Sequence, residues 1–170
     1  MILRRTLLLA TLVLLAVLIE VSVLAPFPWW GATPPLGLVT VAAVAYVNGA
    51  VTGASVGFAM GLLLDLAPPA EGTIGITALV LTLFGYALGR VFGSDERPWL
   101  VTTGLTAAAG GLAVLAGAAL GGLLGDPRVR WDEVPSMVVA AAVYAGVLSL
   151  VVVPFVRGIS RRVVPEAFPR

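Results

Sequence analysis

The sequence predicts an all-α integral membrane protein with six transmembrane helices, of which the middle pair is short. Three observations lead to this fold class: 59% of the 170 residues are hydrophobic, 11% are charged, and the mean hydropathy is +1.06. An average soluble domain carries about twice that share of charged residues. A chain of this length could not bury so much apolar surface in water, so the bilayer is its expected solvent.

Six apolar segments follow one another along a single predicted transmembrane domain, 1–170, and a spanning helix needs about 20 residues. The first segment is predicted at 6–25. It could also be a cleaved signal peptide, but its apolar run is long for one and we expect it to be retained. The stretch 36–67 holds the second and third segments, which meet near Asn48. The remaining segments are predicted at 73–92, 99–124 and 134–153.

The two middle segments are short, at about 15 residues each against the usual spanning length. They could form two short spans or a re-entrant hairpin that turns near Asn48. Both arrangements leave the other helices with the same orientation, so the sequence does not distinguish them. Asn48 itself is expected to cap or close the turn.

The arginines predict the orientation of the bundle, because cytoplasmic loops carry an excess of basic residues. With six spans both termini share a side, and 158–170 forms a basic tail on it. The arginines of that side are Arg4, Arg5, Arg90, Arg97, Arg157, Arg161, Arg162 and Arg170. The opposite side has Arg128 and Arg130 beside three acidic residues. Both termini are therefore expected to be cytoplasmic.

Several kinds of active site are excluded by composition, because the chain has no Cys and no His. It can have no thiol nucleophile, no Cys/His zinc or haem-histidine site and no Ser-His-Asp triad. "GASVG" at 53–57 matches the nucleophile-elbow pattern, but that site needs a His and a strand-to-helix turn. No phosphate-binding G-K-[ST] loop is present. We expect no enzyme, cofactor, metal site or nucleic-acid partner.

A regular series of glycines marks the third segment, "GAVTGASVGFAMGLLLD". Glycines four residues apart let two helix backbones approach closely in a bilayer. Each step of four residues drifts about 40° around the helix, so Gly53, Gly57 and Gly61 form a slanted ridge. Gly49 is expected in the turn before it. The ridge is predicted to be a packing face.

The helix that packs on this ridge could belong to the same chain or to another protein. Within the chain, "GYALG" places Gly85 and Gly89 on the fourth segment, and the fifth segment is rich in Gly and Ala. Contacts between small residues are general in membrane bundles, so the internal contact is favoured.

Two acidic residues lie in apolar segments, where a charge is costly. Asp65 ends the third segment, and the negative end of the helix dipole disfavours it there. It needs a compensating group: backbone N–H groups near 71–73 that open the fourth helix, or Arg128 or Arg130. Asp65 is then a structural clip or a contact with a partner. Glu20 is expected to hydrogen-bond inside the bundle, because two isolated acids do not make a proton relay.

The third and fourth segments together resemble the MreD family of rod shape-determining proteins. The resemblance covers 34–90 and rests on a pattern of small, aromatic and acidic residues. These are Gly53, Gly57, Phe58, Gly61, Leu62, Asp65, Gly75, Gly85, Tyr86 and Gly89. The chain departs from the family's pattern at Glu20, where Gln is usual, and at Leu36, where an acidic or amide residue is usual.

The resemblance implies a non-enzymatic scaffold of the cell-wall elongation complex in the bacterial cytoplasmic (inner) membrane. Its implied partners are a bitopic protein of the MreC type and, through it, peptidoglycan synthases and the MreB filament. The small-residue faces would dock the partner's helix, and the loops 25–35 and 125–133 would touch its extracytoplasmic part. The family's fold is similar to that of the substrate-binding subunits of energy-coupling-factor transporters. A small-nutrient-binding subunit is therefore the alternative function.

Overall fold

The computed structural model describes residues 2–26, 32–68, 73–93 and 98–163, and every regular element in these ranges is helical. The predicted loop at 25–35 and the connection between the fourth and fifth predicted segments lie partly outside the described residues. The helices are α1 Ile2–Ile19, which continues as a π-helical turn Glu20–Leu24, α2 Leu36–Asn48, α3 Ala50–Leu66, α4 Ile76–Phe92, α5 Trp99–Leu123 and α6 Val134–Val163.

Within the described ranges, three helices are long and apolar enough to cross a membrane: Leu3–Leu24, Trp99–Leu123 and Val134–Ser160. The other three are shorter, with 13 residues in α2 and 17 in each of α3 and α4. The fourth segment, predicted at full length, is thus no longer than the third. The sixth is longer than predicted, because α6 continues through Pro154 to Val163 and includes the first part of the predicted tail.

The short helix α2 lies in the centre of the bundle and contacts all five other helices. Its residues Leu36 to Ala45 are all buried. A helix that is apolar on every side is stable only when other helices surround it. The core of the bundle is therefore built around α2, with side chains from α1, α3, α4, α5 and α6 packed against it.

The α2–α3 hairpin extends along the same length of the bundle as α1. At one end, Arg5 Nη2 donates a hydrogen bond of 2.9 Å to Thr52 Oγ1, next to the turn at Gly49. At the other end, the backbone N–H of Gly37 donates to Glu20 Oε2 at 2.5 Å. Fifteen residues of helix separate Arg5 from Glu20, about 22 Å. The turn at Gly49 therefore lies at the end of the bundle where α1 begins.

The two ends of the bundle differ in charge. The end that carries Arg5, Arg90 and Arg157 is called the basic end. Arg90 comes directly after the part of α4 that contacts the α2–α3 turn, and Arg157 lines a cavity together with the last turn of α2. We call the acidic end the one that carries Glu20 and Asp65. Three of the eight arginines predicted to share a side, Arg5, Arg90 and Arg157, thus lie at the same end of the bundle.

Candidate functional site

The glycine ridge of α3 lies directly against the backbone of α4. A Cβ built on Gly53 would lie 2.5 Å from the carbonyl oxygen of Gly85, and one built on Gly61 would lie 2.6 Å from the backbone nitrogen of Ala78. Both distances are too short for real atoms, so no larger residue fits without moving a helix. The close contact of α3 with α4 therefore requires glycine at these positions.

The glycines of α4 repeat this relationship in the other direction. A Cβ on Gly85 would lie 2.7 Å from the carbonyl carbon of Gly53, and one on Gly89 would lie 2.6 Å from the backbone nitrogen of Ala50. Gly57, in the middle of the ridge, lies equally close to the backbone of Leu81. The ridge is thus covered by α4 of the same chain, and the helix of another protein would have to displace α4 to use it.

Asp65 caps the beginning of α4. Its Oδ2 accepts hydrogen bonds from the backbone N–H groups of Gly75, at 2.8 Å, and Ala78, at 3.1 Å. Gly75 precedes α4 with a φ of 101°, a conformation that glycine adopts readily. A carboxylate at the positive end of α4 is favourable, and this offsets its unfavourable place at the end of α3.

The compensating group for Asp65 is therefore of the predicted kind but lies further along the chain. The expected N–H groups near 71–73 lie largely outside the described residues, and the observed donors belong to Gly75 and Ala78. Of the two candidate arginines, Arg130 pairs with Glu133 at 2.7 Å. The structural role, a clip between α3 and α4, accounts for the geometry of Asp65.

Glu20 caps the beginning of α2 in the same way, through its contact with the N–H of Gly37. Residue Pro35 precedes α2 and offers no side-chain cap of its own. A Cβ on Gly37 would lie 3.0 Å from Glu20 Oε2, so glycine is what lets the carboxylate approach. Glu20 also begins the π-helical turn, in which the N–H of Ala25 donates to the Glu20 carbonyl at 2.8 Å.

Asn48 bonds within its own helix. Its Nδ2 donates to the carbonyl oxygen of Val44, one turn earlier, at 3.3 Å, so its side chain bonds back onto α2 and does not bridge the turn. The turn is made by Gly49, whose φ of 83° is strained for other residues.

Phe58 and Tyr86, the aromatic residues of the MreD-like pattern, lie outside the glycine contact. Phe58 is 54% exposed on α3 and Tyr86 is 49% exposed on α4. Both rings therefore lie on the outer surface of the bundle, where lipid or another protein can reach them.

An apolar groove of about 640 Å³ runs between α1 and α3. We call it the α1–α3 groove; its walls are formed by residues between Thr6 and Leu15 on α1 and between Ser55 and Leu63 on α3. The hydroxyls of Thr11 and Ser55 donate to backbone oxygens of their own helices, at 2.8 and 2.9 Å. These two hydroxyls therefore require no polar partner from an occupant of the groove.

Two adjacent cavities lie at the acidic end. One, of about 370 Å³, is lined by Asp65, and the other, of about 170 Å³, is lined by Glu20. They share Leu64, Thr77 and other lining residues. Within the described residues no group of three or more acidic ligands could hold a metal ion.

A family model described as rod shape-determining protein MreD matches residues 2–163. The chain belongs to the MreD family. The match includes α5 and α6, which lie beyond the part of the sequence where the resemblance is visible by motif. Comparison with curated proteins and with solved structures gave no match.

Membership of the MreD family gives the chain a role in determining the rod shape of bacteria. Proteins of this family are shape-determining membrane proteins that function with other shape-determining proteins in a membrane complex, and the family is not a known enzyme family. The long apolar helices α1, α5 and α6 agree with a membrane location.

Sequence reasoning missed Gly37, Ala78 and the α1–α3 groove. One feature of the sequence could have indicated Gly37. It follows two prolines at the start of a helix, where no neighbouring side chain can cap the backbone N–H groups. Ala78 and the groove had none, because an alanine or leucine in an apolar helix does not reveal its neighbours.

Proposed function

We propose that this chain is a non-enzymatic membrane scaffold of the bacterial cell-wall elongation complex. It docks the single transmembrane helix of an MreC-like bitopic protein and, through that protein, is linked to peptidoglycan synthases and the MreB filament. The role in rod shape comes from the family, and the observation that carries the docking proposal is the α1–α3 groove.

The shape and chemistry of the groove support a single apolar helix as its occupant. Its α1 wall, from Thr6 to Leu15, is about 14 Å long, between two and three helical turns. Ala10 and Ala59 lie on opposite walls and leave room for close packing, which drives helix association in bilayers. The hydroxyls of Thr11 and Ser55 are already satisfied, so an apolar helix leaves neither of them unpaired.

The Arg5–Thr52 hydrogen bond lies beside the groove near the basic end. From there the groove runs toward the acidic end of the bundle, where the loop 125–133 follows α5. We propose that this loop contacts the extracytoplasmic part of the bitopic partner.

We further propose that all six helices cross the inner membrane, with the basic end in the cytoplasm. The excess of arginines at that end supports this orientation. The contacts of the α2–α3 hairpin with Arg5 at one end and Glu20 at the other support a full crossing over a re-entrant loop.

Blocking the groove tests the docking proposal. Ala59→Phe fills the groove, and Ala87→Phe places the same ring on an exposed position of α4 as a matched control. We expect Ala59→Phe to reduce recovery of the bitopic partner from mild-detergent membranes and to round the cells, while Ala87→Phe does neither. Equal recovery with both variants, at equal membrane levels, would refute docking in this groove.

The adjacent cavities at the acidic end support a second candidate, the small-nutrient-binding subunit of an energy-coupling-factor-type transporter. Such a site needs several convergent polar groups. Here both carboxylates already bind backbone N–H groups, which favours the scaffold. Pull-down of the tagged chain with identification of its partners separates the two: a bitopic protein and cell-wall synthases support the scaffold, and an ATPase pair with a membrane coupling subunit supports the transporter.

A further inference from the structure

Thr102 is a buried threonine whose hydroxyl has no hydrogen-bond partner among the described residues. It lies in the first turn of α5 and is 4% exposed. Thr106, one turn later, shows the usual solution in a helix, because its hydroxyl donates to the carbonyl oxygen of Thr102 at 2.8 Å. Ser149 on α6 is satisfied in a similar way by Gly146, at 2.7 Å. The hydroxyl of Thr102 is therefore an unused hydrogen-bond donor.

Thr102 is one of the residues that line a cavity of about 300 Å³ between α2, α5 and α6 at the basic end. We call it the α5–α6 cavity; its walls include Trp99, Thr102, Leu150, Pro154 and Arg157. Its volume is at the lower end of the range for small-molecule sites, about 300–1,000 Å³. It is separate from the α1–α3 groove and from the cavities at the acidic end.

The polar groups of the cavity suit an anion that also carries a hydroxyl. Arg157 supplies a positive charge, and α5 begins at Trp99, so the positive end of its dipole lies at the cavity. Pro154 has no N–H and cannot donate to the carbonyl of Leu150, so this carbonyl lacks its usual helical donor, and both residues line the cavity. No acidic side chain is among the described residues that line the cavity.

The remaining walls suit an acyl chain. Leu150 and Val153 are apolar, and Leu150 is also exposed on the outside of α6. Trp99 is 65% exposed at the start of α5, where tryptophans of membrane proteins lie at the level of the lipid headgroups. Basic pockets between helices on the cytoplasmic side commonly hold anionic headgroups.

We propose that the α5–α6 cavity binds an anionic phospholipid of the phosphatidylglycerol type. Arg157 and Thr102 hold the phosphate, the carbonyl of Leu150 accepts from a headgroup hydroxyl, and an acyl chain lies along α6 beside Val153. The lipid is a distinct ligand, and its binding does not depend on the docking of a protein partner.

The test is lipid binding by the purified full chain, measured by native mass spectrometry and by thermal unfolding in detergent. The probes are phosphatidylglycerol, phosphatidylcholine and free glycerol 3-phosphate. Thr102→Val removes the hydroxyl at nearly constant shape, and Arg157→Gln removes the charge. Arg90→Gln, also at the basic end, is the matched control for loss of charge alone.

We expect phosphatidylglycerol to bind and to raise the unfolding temperature more than phosphatidylcholine, and glycerol 3-phosphate to do little. Arg157→Gln should weaken phosphatidylglycerol binding about tenfold, the usual effect of losing a charge-assisted hydrogen bond, and Arg90→Gln should weaken it much less. Thr102→Val should weaken lipid binding while leaving the lipid-free protein as stable as before, or more stable, because it removes an unpaired buried hydroxyl.

Three outcomes would overturn the proposal. If Arg157→Gln and Arg90→Gln weakened phosphatidylglycerol binding equally, the lipid would be attracted by the charge of the basic end as a whole and not by a specific site. Equal binding of phosphatidylcholine would remove the role of the anionic headgroup. Equal protection by glycerol 3-phosphate would show that the ligand is a soluble phosphate and not a lipid.

Discussion

The carboxylate of Asp65 accepts a hydrogen bond of 2.8 Å from the backbone N–H of Gly75, so the end of α3 caps the beginning of α4. The same arrangement joins Glu20 at the end of α1 to Gly37 at the beginning of α2. Each acid that looks misplaced in an apolar segment thus satisfies backbone donors that no local side chain reaches.

Loss of the Asp65 carboxylate should destabilise the bundle. Asp65→Ala leaves the N–H groups of Gly75 and Ala78 without their acceptor, and we expect it to lower the free energy of unfolding by about 1–2 kcal/mol. Asp65→Asn keeps one acceptor oxygen and should cost less. Intrinsic tryptophan fluorescence during heating measures both, and Asp132→Ala, in an exposed turn, is the control. An Asp65→Ala variant as stable as the control would contradict the capping role.

Enlarging the ridge should separate α3 from α4. Gly57→Ala forces a methyl group into the backbone of Leu81, and overpacking of this kind costs about 1–3 kcal/mol. Gly104 on α5 has open space, with no neighbouring atom within 4 Å of the place that a methyl group would take, so Gly104→Ala should be neutral or stabilising. The measurement is thermal unfolding of the two variants side by side, and equal behaviour would mean that the helices do not touch at Gly57.

Gly49→Ala should destabilise the α2–α3 hairpin through the backbone alone. Its φ of 83° disfavours any other residue, and nothing lies within 4 Å of the position that a Cβ would take. We expect a cost of about 1–3 kcal/mol. Gly158→Ala, also with open space but within helix α6, is the control, and the same unfolding assay compares them. If both variants were equally stable, the turn would have to adopt another conformation.

The proposed orientation can be tested by labelling, since the chain has no native cysteine. Thr73→Cys places a thiol at the acidic end and Pro98→Cys one at the basic end, both at exposed positions. A membrane-impermeant maleimide should label Thr73→Cys in intact cells and Pro98→Cys only after the membrane is opened. The reverse labelling pattern would show that the bundle has the opposite orientation in the membrane.

Much of the fold could be predicted from the sequence because hydropathy alone locates helices in a bilayer. The glycine ridge was also predictable, since a spacing of four residues fixes a face of the helix whatever its neighbours are. Which helices surround α2, and what lies against the remaining faces of α3, was not, because a helix that is apolar on all sides carries no inside–outside signal. That is why the α1–α3 groove appears only in the structure.

The details of the capping sites were less predictable for a different reason. Gly37 lies 17 residues from Glu20 and Gly75 lies 10 residues from Asp65, and the intervening turns decide which N–H group faces the carboxylate. The predicted end of the sixth segment, just before Pro154, came too early because α6 continues through this residue. In a membrane helix a proline is tolerated when its surroundings satisfy the freed carbonyl.

Helices α2 and α4 are each capped by a carboxylate of the helix before them, and this has a consequence for synthesis. A nascent chain that has reached Ala78 already contains both carboxylates and all the backbone donors that they bind. Neither carboxylate therefore stays unpaired in the hydrocarbon until α5 or α6 has been made. The first four helices can associate in pairs while the ribosome is still translating the rest of the chain.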